Sequence, residues 1–441
     1  MYLLLYVTKC PLIKIYRSIM DKKLFYYFIL IGSLLTSCSY EDGYNSSYIQ
    51  DSTMPRNHRV SVEEAKLKAL EFVSNISDIT RAGSSKELRV DNVQAISLIN
   101  HSTRSSEEPT NLDSLLYIIN FADSCGFVIA GTDDREAEIY AYIENGNYSW
   151  NEADSLNPGF TAFIYGLLES RSKDAANAVA LDDIECIGGG PSGGIPNNDG
   201  FKPNKFEVMY PLLVTKWGQL EPYNAYTPDN VYTGCVVTAM AQICSFLEWP
   251  SMVQWSYNYT GGSAHLNWSQ IKTECSLSDG KLYTESSADQ IAHLMRFLGV
   301  AFDAEYGEGG TSVDSNEAID VLRNYGLTIS GLSDYNPTQI VNDLRSGNKI
   351  VYMRGNARYY HILFFIRKYV DGHGWVVDGY IDQVDMGKES IYLHCNWGWN
   401  GTQNGYFLSS ALNAEEDPAY DDNVTRGYNY RYNLEMATFS K

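Results

Sequence analysis

The sequence predicts an α+β protein in two folded parts, and three observations carry that prediction. The first is composition: 34 Tyr and 35 Gly beside 13 Pro in 441 residues suit strands and turns better than a coiled coil or a helical repeat array. The second is pattern, since runs with helical spacing and runs with strand character alternate along the chain. The third is a Gly-, Pro- and Asn-rich stretch between Ile187 and Asn204, the composition of a flexible linker, which divides the chain near residue 190. An apolar share of 44% excludes a wholly disordered chain, and a net charge of −21 argues against gripping nucleic-acid phosphates.

The first residues read as a targeting device. Lys22 and Lys23 precede an uncharged, mostly apolar run from Leu24 to Leu35, which is too short to span a bilayer as a helix and fits a signal-peptide core. Leu35, Thr36, Ser37 and Cys38 follow, resembling a bacterial lipobox in which the cysteine becomes the lipidated N-terminus. Met20 is itself a plausible start. Loss of residues 1–37 would leave a mature chain with a charge of about −25. No other stretch approaches the length of a membrane helix, so contact with a membrane is expected only through lipid on Cys38. Of the eight cysteines, six lie beyond Cys38 and none forms a Cys-x-x-Cys pair, which disfavours a structural zinc site or a disulfide scaffold.

After a polar stretch, Ser61 and Glu64 form a capping box that opens an amphipathic helix with Val62, Ala65, Ala69, Val73 and Ile76 on one stripe. Leu115–Ala122 and Phe127–Thr132 read as a hairpin about a turn at Asp123–Gly126, and Ile139–Ile143 as a third strand. Asp133, Asp134 and Arg135 read as a solvated turn. This first part offers no evident chemistry.

The second part does. Cys235 follows Gly234 and opens a segment in which Val236, Met240, Ile243 and Leu247 recur at helical spacing before Pro250. A thiol on the first turn of a helix meets the positive end of the backbone dipole, which favours thiolate; alone, such a cysteine is as readily a small buried residue. A thiolate nucleophile needs an imidazole to hold its proton and return it to the leaving group. Five histidines lie downstream, His265, His293, His361, His373 and His394; His265, in a Gly-rich loop, and His293, in a helical run, suit that role less than His361 and His373, each of which precedes an apolar run. His373 is preferred because Gly372 and Gly374 allow close approach and a strand then fixes the ring; His361 remains a competitor. In the stretch His394–Gly401, Asn396 is suited to bond the distal imidazole nitrogen while Trp397 and Trp399 shield that contact. Gln219, sixteen residues before Cys235, could join the Cys235 amide in holding an oxyanion.

Taken in this order, Gln219, GCVVTAMAQI, GHGWVVDGY and NWGWNG resemble the streptopain family of papain-fold cysteine peptidases from about Val208 to the C-terminus. Tyr306 and Gly307, before Glu308–Ser312, are similar to the family's glycine-rich substrate-side loop. The resemblance implies a helical half plus an antiparallel sheet half, preceded by a small α+β prodomain that inhibits until cleaved. It implies Cys235 as nucleophile, His373 as general base and acid, Gln219 in the oxyanion hole, and Asn396 with Trp397 orienting and shielding the imidazole. It calls for no metal or organic cofactor, with peptides as substrates and the chain's own propeptide as inhibitor.

The expected boundaries are a signal peptide at 1–37, a lipidated N-terminus and spacer at 38–57, a propeptide at 58–185, a linker and maturation region at 186–204, and a peptidase at 205–441. Such a protein would be a zymogen of a secreted or surface-anchored endopeptidase, at the outer membrane or cell surface. Three features depart from the pattern: an apparent insertion at Arg358–Val370, Gly374 where the family has Ala, and Ala304 where a larger residue is expected. A catalytically inactive surface lipoprotein acting as a binding protein or protease inhibitor is the alternative, and amide transfer on the same Cys-His chemistry is another.

Overall fold

The computed structural model describes residues 58–78, 88–96, 114–150, 157–168, 170–171, 204–307, 310–363, 366–385, 387–412 and 432–441, the side chains of 77–78, 357–371 and 432–433 aside. The leader, the lipobox and the Gly-rich linker lie outside the described residues. From His58 on, the chain forms one compact unit.

The first part opens with helix α1 (Val62–Asp78), whose Glu64 amide donates to the Ser61 hydroxyl at 3.2 Å, the expected cap. Ala65, Ala69, Val73 and Ile76 are buried along its inner stripe. Strands β1 (Val90–Ile96), β2 (Leu116–Phe121), β3 (Phe127–Gly131) and β4 (Ile139–Ile143) form an antiparallel meander. The hairpin and third strand are as expected, while β1 and a further helix, α2, over residues 158–168, are additions. Asn157 opens α2, its side-chain oxygen accepting from the Phe160 amide at 3.1 Å. The turn at Asp133–Arg135 is an ion-paired corner, with Arg135 forked onto Asp133 and His58 beside Asp134.

In the second part, β5 (Lys205–Met209) leads to helix α3 (Cys235–Leu247), the hairpin β6 (Met252–Tyr257) and β7 (Thr260–His265), and helices α4 (Trp268–Leu277) and α5 (Glu285–Ala301). There follow the hairpin β8 (Glu305–Gly307) and β9 (Gly310–Ser312), helix α6 (Ser315–Asn324), the short β10 (Thr328–Ile329) and β11 (Ser333–Asp334), and helix α7 (Pro337–Leu344). The long strands β12 (Lys349–Leu363), β13 (Ile366–Asp385) and β14 (Lys388–Asn396), then β15 (Gly405–Leu408), the turn-long α8 (Ser409–Leu412) and β16 (Tyr432–Ser440), complete the chain. His265 therefore ends a strand and not a loop: its glycine-rich neighbours Gly261 and Gly262 are paired with Ser256 and Trp255. The apparent insertion at Arg358–Val370 is the outer part of the β12–β13 hairpin, paired from Arg358↔Val370 to Leu363↔Ile366.

One sheet joins both parts, in the order β1-β2-β3-β4-β15-β14-β13-β12-β16-β10, with β5 beside the far end of β13 and β11 beside β16. The junction is β4 on β15, with Ala141, Tyr142 and Ile143 opposite Phe407, Tyr406 and Gly405. Gly405 is required there, because a Cβ would lie 2.3 Å from the Tyr142 carbonyl oxygen. Strand alternation then divides the interior. Ile350, Tyr352 and Val376 pack with helices α3, α4, α5 and α6, whereas Val351, Met353, Trp375 and Val377 share a core with α1, the first four strands and α2. This is the predicted α+β arrangement of a helical half and an antiparallel sheet half, with the small N-terminal domain built onto the sheet's edge.

Candidate active site

Helix α3 forms where the sequence expects it, enclosed on all sides from Val236 to Phe246, and Gly234, at φ 95°, turns the chain into its first residue. That places Cys235 on the first turn. The Gly374 amide, next along the chain from His373, faces the Cys235 thiol and favours its ionised form, so α3 meets β13 beside His373. Gly374 is glycine for a second reason: a Cβ would sit 2.5 Å from the hydroxyl of Tyr352, which is held by Ser315 at 2.8 Å. The departure from Ala thus follows from a tyrosine filling the space behind the nucleophile.

His361 lies on β12 opposite Arg367, whereas His373 lies opposite Gly355. Six strand residues separate the two places, roughly 20 Å along the hairpin. The backbone therefore brings His373 and not His361 to Cys235; the side chain of His361 is outside the described residues. His293 is a packing residue, stacked on Tyr226 at 4.1 Å and accepting from the Trp255 indole.

The His373 ring stacks on Trp375 at 6.1 Å, and its Nε2 meets the Trp397 carbonyl oxygen at 3.1 Å. The expected partner, the Asn396 side chain, is engaged elsewhere. Asn396 stands opposite Val376, whose side chain faces the helical core, so its amide points to α3, on the other side of the sheet from Trp375. There it exchanges hydrogen bonds with Gln242, donates to the Thr215 carbonyl at 3.0 Å, and accepts from the Gly398 amide. Asn396 fixes the turn; the Trp397 backbone touches the imidazole. Gln219 is buried, and its carbonyl accepts from the Thr233 amide at 3.0 Å, which ties its loop to the segment two residues before Cys235. The β8–β9 hairpin borders the same point, Thr311 donating to the Tyr232 carbonyl and packing against Gly234.

The electrostatics differ from the sequence expectation. Cys235 is partly exposed by area but deeply set, and burial raises its thiol pKa against the opposing pull of the Gly374, Val236 and Cys235 amides. Burial also pulls His373 down to about 4, with the Trp397 carbonyl opposing. Helix position alone favours thiolate, but the lost hydration outweighs it. Thiol and imidazole are both held in their neutral forms.

That first domain reaches the site directly. Asn157, fully buried, donates to the Thr402 carbonyl at 2.7 Å, and Gly159 lies so close to the Trp397 indole that a Cβ would be 2.5 Å from it. Phe160 and Phe163 pack on Phe407, which packs on Trp397. A second contact escaped the sequence reading. His394, buried on β14, holds Asp378 at 2.6 Å through Nδ1 and faces Glu144 of the first domain at 3.5 Å through Nε2. Burial lowers its pKa, but the two carboxylates prevail and hold it up at about 9. Asp378 is completed by the Leu213 amide.

Comparison with known proteins finds two families along the chain. Residues 217–407 match the Peptidase C10 family, and residues 57–168 match the Spi protease inhibitor family. The chain is a streptopain-like cysteine peptidase with an inhibitor domain. It is 25% identical to streptopain from Streptococcus pyogenes over 389 residues, covering 82% of this chain and 87% of that one. It is 24% identical over 338 residues to the thiol protease/hemagglutinin PrtT of Porphyromonas gingivalis, covering 68% of this chain and 34% of that protein. Among solved structures, prointerpain A from Prevotella intermedia aligns with a TM-score of 0.47 at 22% identity, over 75% of this chain and 96% of that one.

Among the described residues of this peptidase all five cysteines are free, and Cys244, Cys275 and Cys395 are buried with raised thiol pKa values.

Proposed function

We propose that this peptidase is made as a latent, exported endopeptidase that cleaves peptide bonds through a thioester on Cys235. The observation that carries the reading is the junction of Cys235 with the His373–Gly374 segment under a docked inhibitor domain. In the mechanism, the Cys235 thiolate attacks a peptide carbonyl, forming a tetrahedral oxyanion held by the Cys235 amide and the Gln219 side chain. His373, oriented by the Trp397 carbonyl, takes the thiol proton and gives it to the leaving amine, after which water hydrolyses the thioester. Undocking of the inhibitor domain would rehydrate the pair and let thiolate and imidazolium stabilise each other.

Intact-mass analysis of the purified chain over time tests this. Loss of an N-terminal piece ending between residues 186 and 204, with a thiol-directed peptidase inhibitor adding its mass at Cys235, is the expected result. A chain that is never cut, and whose Cys235 resists the inhibitor after trimming by another protease, would falsify the reading in favour of a binding or inhibitor protein.

We further propose that export ends in lipidation of Cys38 and anchoring at the outer membrane or cell surface, supported by the Lys22–Cys38 pattern. In a bacterial host, metabolic labelling with an alkyne fatty acid should tag the wild type in the membrane fraction, and Cys38→Ala should lose both tag and membrane association. An untagged wild type in the soluble fraction would refute the anchor.

A further inference from the structure

Gln242 lies two turns beyond Cys235 on the same stripe of α3 and is fully buried. A buried amide must satisfy its donors and acceptors, and this one does so across three chain segments. Its Oε1 accepts from the Trp217 amide at 3.0 Å, from Asn396 Nδ2 at 3.2 Å and from the Thr215 hydroxyl at 3.3 Å. Its Nε2 donates to Asn396 Oδ1 at 3.1 Å. The bonds lead to two pieces of the site, the segment of Thr215 and Trp217 and the turn after Asn396. Trp217 is two residues before Gln219, and Asn396 immediately precedes Trp397, whose carbonyl meets His373.

We propose that Gln242 is the positioning residue of this peptidase, setting the oxyanion amide and the imidazole partner in register with the nucleophile from inside the nucleophile's own helix. The inference rests on the peptidase reading of the site. It assigns Asn396 a role as well: the amide expected on the imidazole acts through the backbone of the next residue, and its bond to Gln242 is what holds that backbone. Because the reciprocal amide pair has one donor and one acceptor in each direction, the turn at Trp397 has a single register on α3. Any side chain that cannot both donate and accept loses that register while leaving the β8–β9 hairpin, which makes no bond to Gln242, unaltered. The effect therefore falls on the chemical step more than on substrate binding.

The test uses Gln242→Glu, which keeps the shape and the acceptor for Trp217 but opposes Asn396 Oδ1 with a second acceptor, and Gln242→Met, which removes both. Each full chain is matured with a trace of affinity-tagged wild type that is then withdrawn. A loss of about 100-fold in kcat with KM within about threefold is expected, on the scale of a small misplacement of catalytic groups. The acid limb of the pH profile for Cys235 alkylation should move as well, because that limb reports the thiolate–imidazolium pair. A variant that melts at lower temperature but keeps wild-type kcat and the wild-type alkylation profile overturns the proposal, since a structural role moves only the melting point. If neither variant folds, Asn396→Asp breaks the same pair from the other side, and the same readouts decide. A wild type without peptide hydrolysis would bring down the peptidase reading and this proposal together; an active wild type beside an unimpaired Gln242→Glu brings down the proposal alone.

Discussion

Replacing Cys235 by Ala should abolish peptide hydrolysis, with a fall in kcat of about 10⁶-fold on the scale set by removing the nucleophile from a catalytic triad. The loss is expected to be that large because no described cysteine can substitute: Cys244, Cys275 and Cys395 are buried, and Cys125 belongs to the inhibitor domain. Stability should change little, within about 0.5 kcal/mol, since the side chain is small, partly exposed and on the first turn, where Ala is a good helix former. The measurement is hydrolysis of a fluorogenic peptide by the trimmed chain beside its melting temperature. Turnover at the wild-type level would remove Cys235 from the mechanism, and a collapse in melting temperature would make the activity loss uninformative about chemistry.

The second large effect concerns Glu144, the inhibitor domain's half-buried carboxylate on His394. Glu144→Gln removes the charge but keeps the shape, leaving a buried imidazolium paired with Asp378 alone. An ion pair at 3.5 Å with a partly exposed carboxylate and no hydrogen bond contributes up to about 1 kcal/mol, so docking of the inhibitor domain should weaken up to roughly fivefold and maturation of the full chain should accelerate. In a Cys235→Ala background, where no cleavage intervenes, amide exchange along β4 and β15 should rise in the same proportion. Unchanged exchange and an unchanged maturation rate would show that the contact does not hold the domain.

The pH dependence of that latch follows from two shifts of opposite sense. His394 is raised from 6.5 to about 9, against burial, by Asp378 of its own domain more than by Glu144, so the stability it lends the folded chain, of which the latch is the smaller share, is whole below pH 6.5 and is lost as pH rises through 9. Glu144 is lowered from 4.5: burial would raise it, but His394 outweighs burial, so its contribution is whole above pH 4.5 and is lost as pH falls through its folded value. Both are intact between about pH 4.5 and 6.5. Mild acid therefore leaves this latch closed, and amide exchange in β4 should quicken above pH 9.

Much of this architecture was legible in the residues. The Ser61 cap, the stripe of α1, the hairpin at 115–132 and the apolar spacing of α3 are local signals, and each element formed where its signal lay. Asn157 and Pro158 carry the start signal of α2, an N-cap and a Pro on the first turn, so that helix could have been found. His265 was read as loop because glycines mimic a turn when their cross-strand partners are unknown. At the site, residue types were readable but directions were not. Asn396 next to Trp397 in the sequence suggests that both face the imidazole; the register of β14 on β13 sends the amide to α3 instead. Likewise Asp378, His394 and Glu144 are far apart in sequence, and only the union of the two sheets brings them into one ion chain. The neutral state of Cys235 and His373 depends on how deeply the assembled fold buries them, which no local spacing encodes.

The pairing of β4 with β15 has a consequence for the life of the molecule after maturation. Departure of the inhibitor domain strips β15 of its neighbour and turns an interior strand of the sheet into an open rim with unsatisfied amides and carbonyls. Such rims invite chains to stack into aggregates, and short strands are one way proteins discourage it. At four residues, Gly405–Leu408, with a glycine at its head, β15 offers little template, so a peptidase freed of its inhibitor should stay apart from its neighbours.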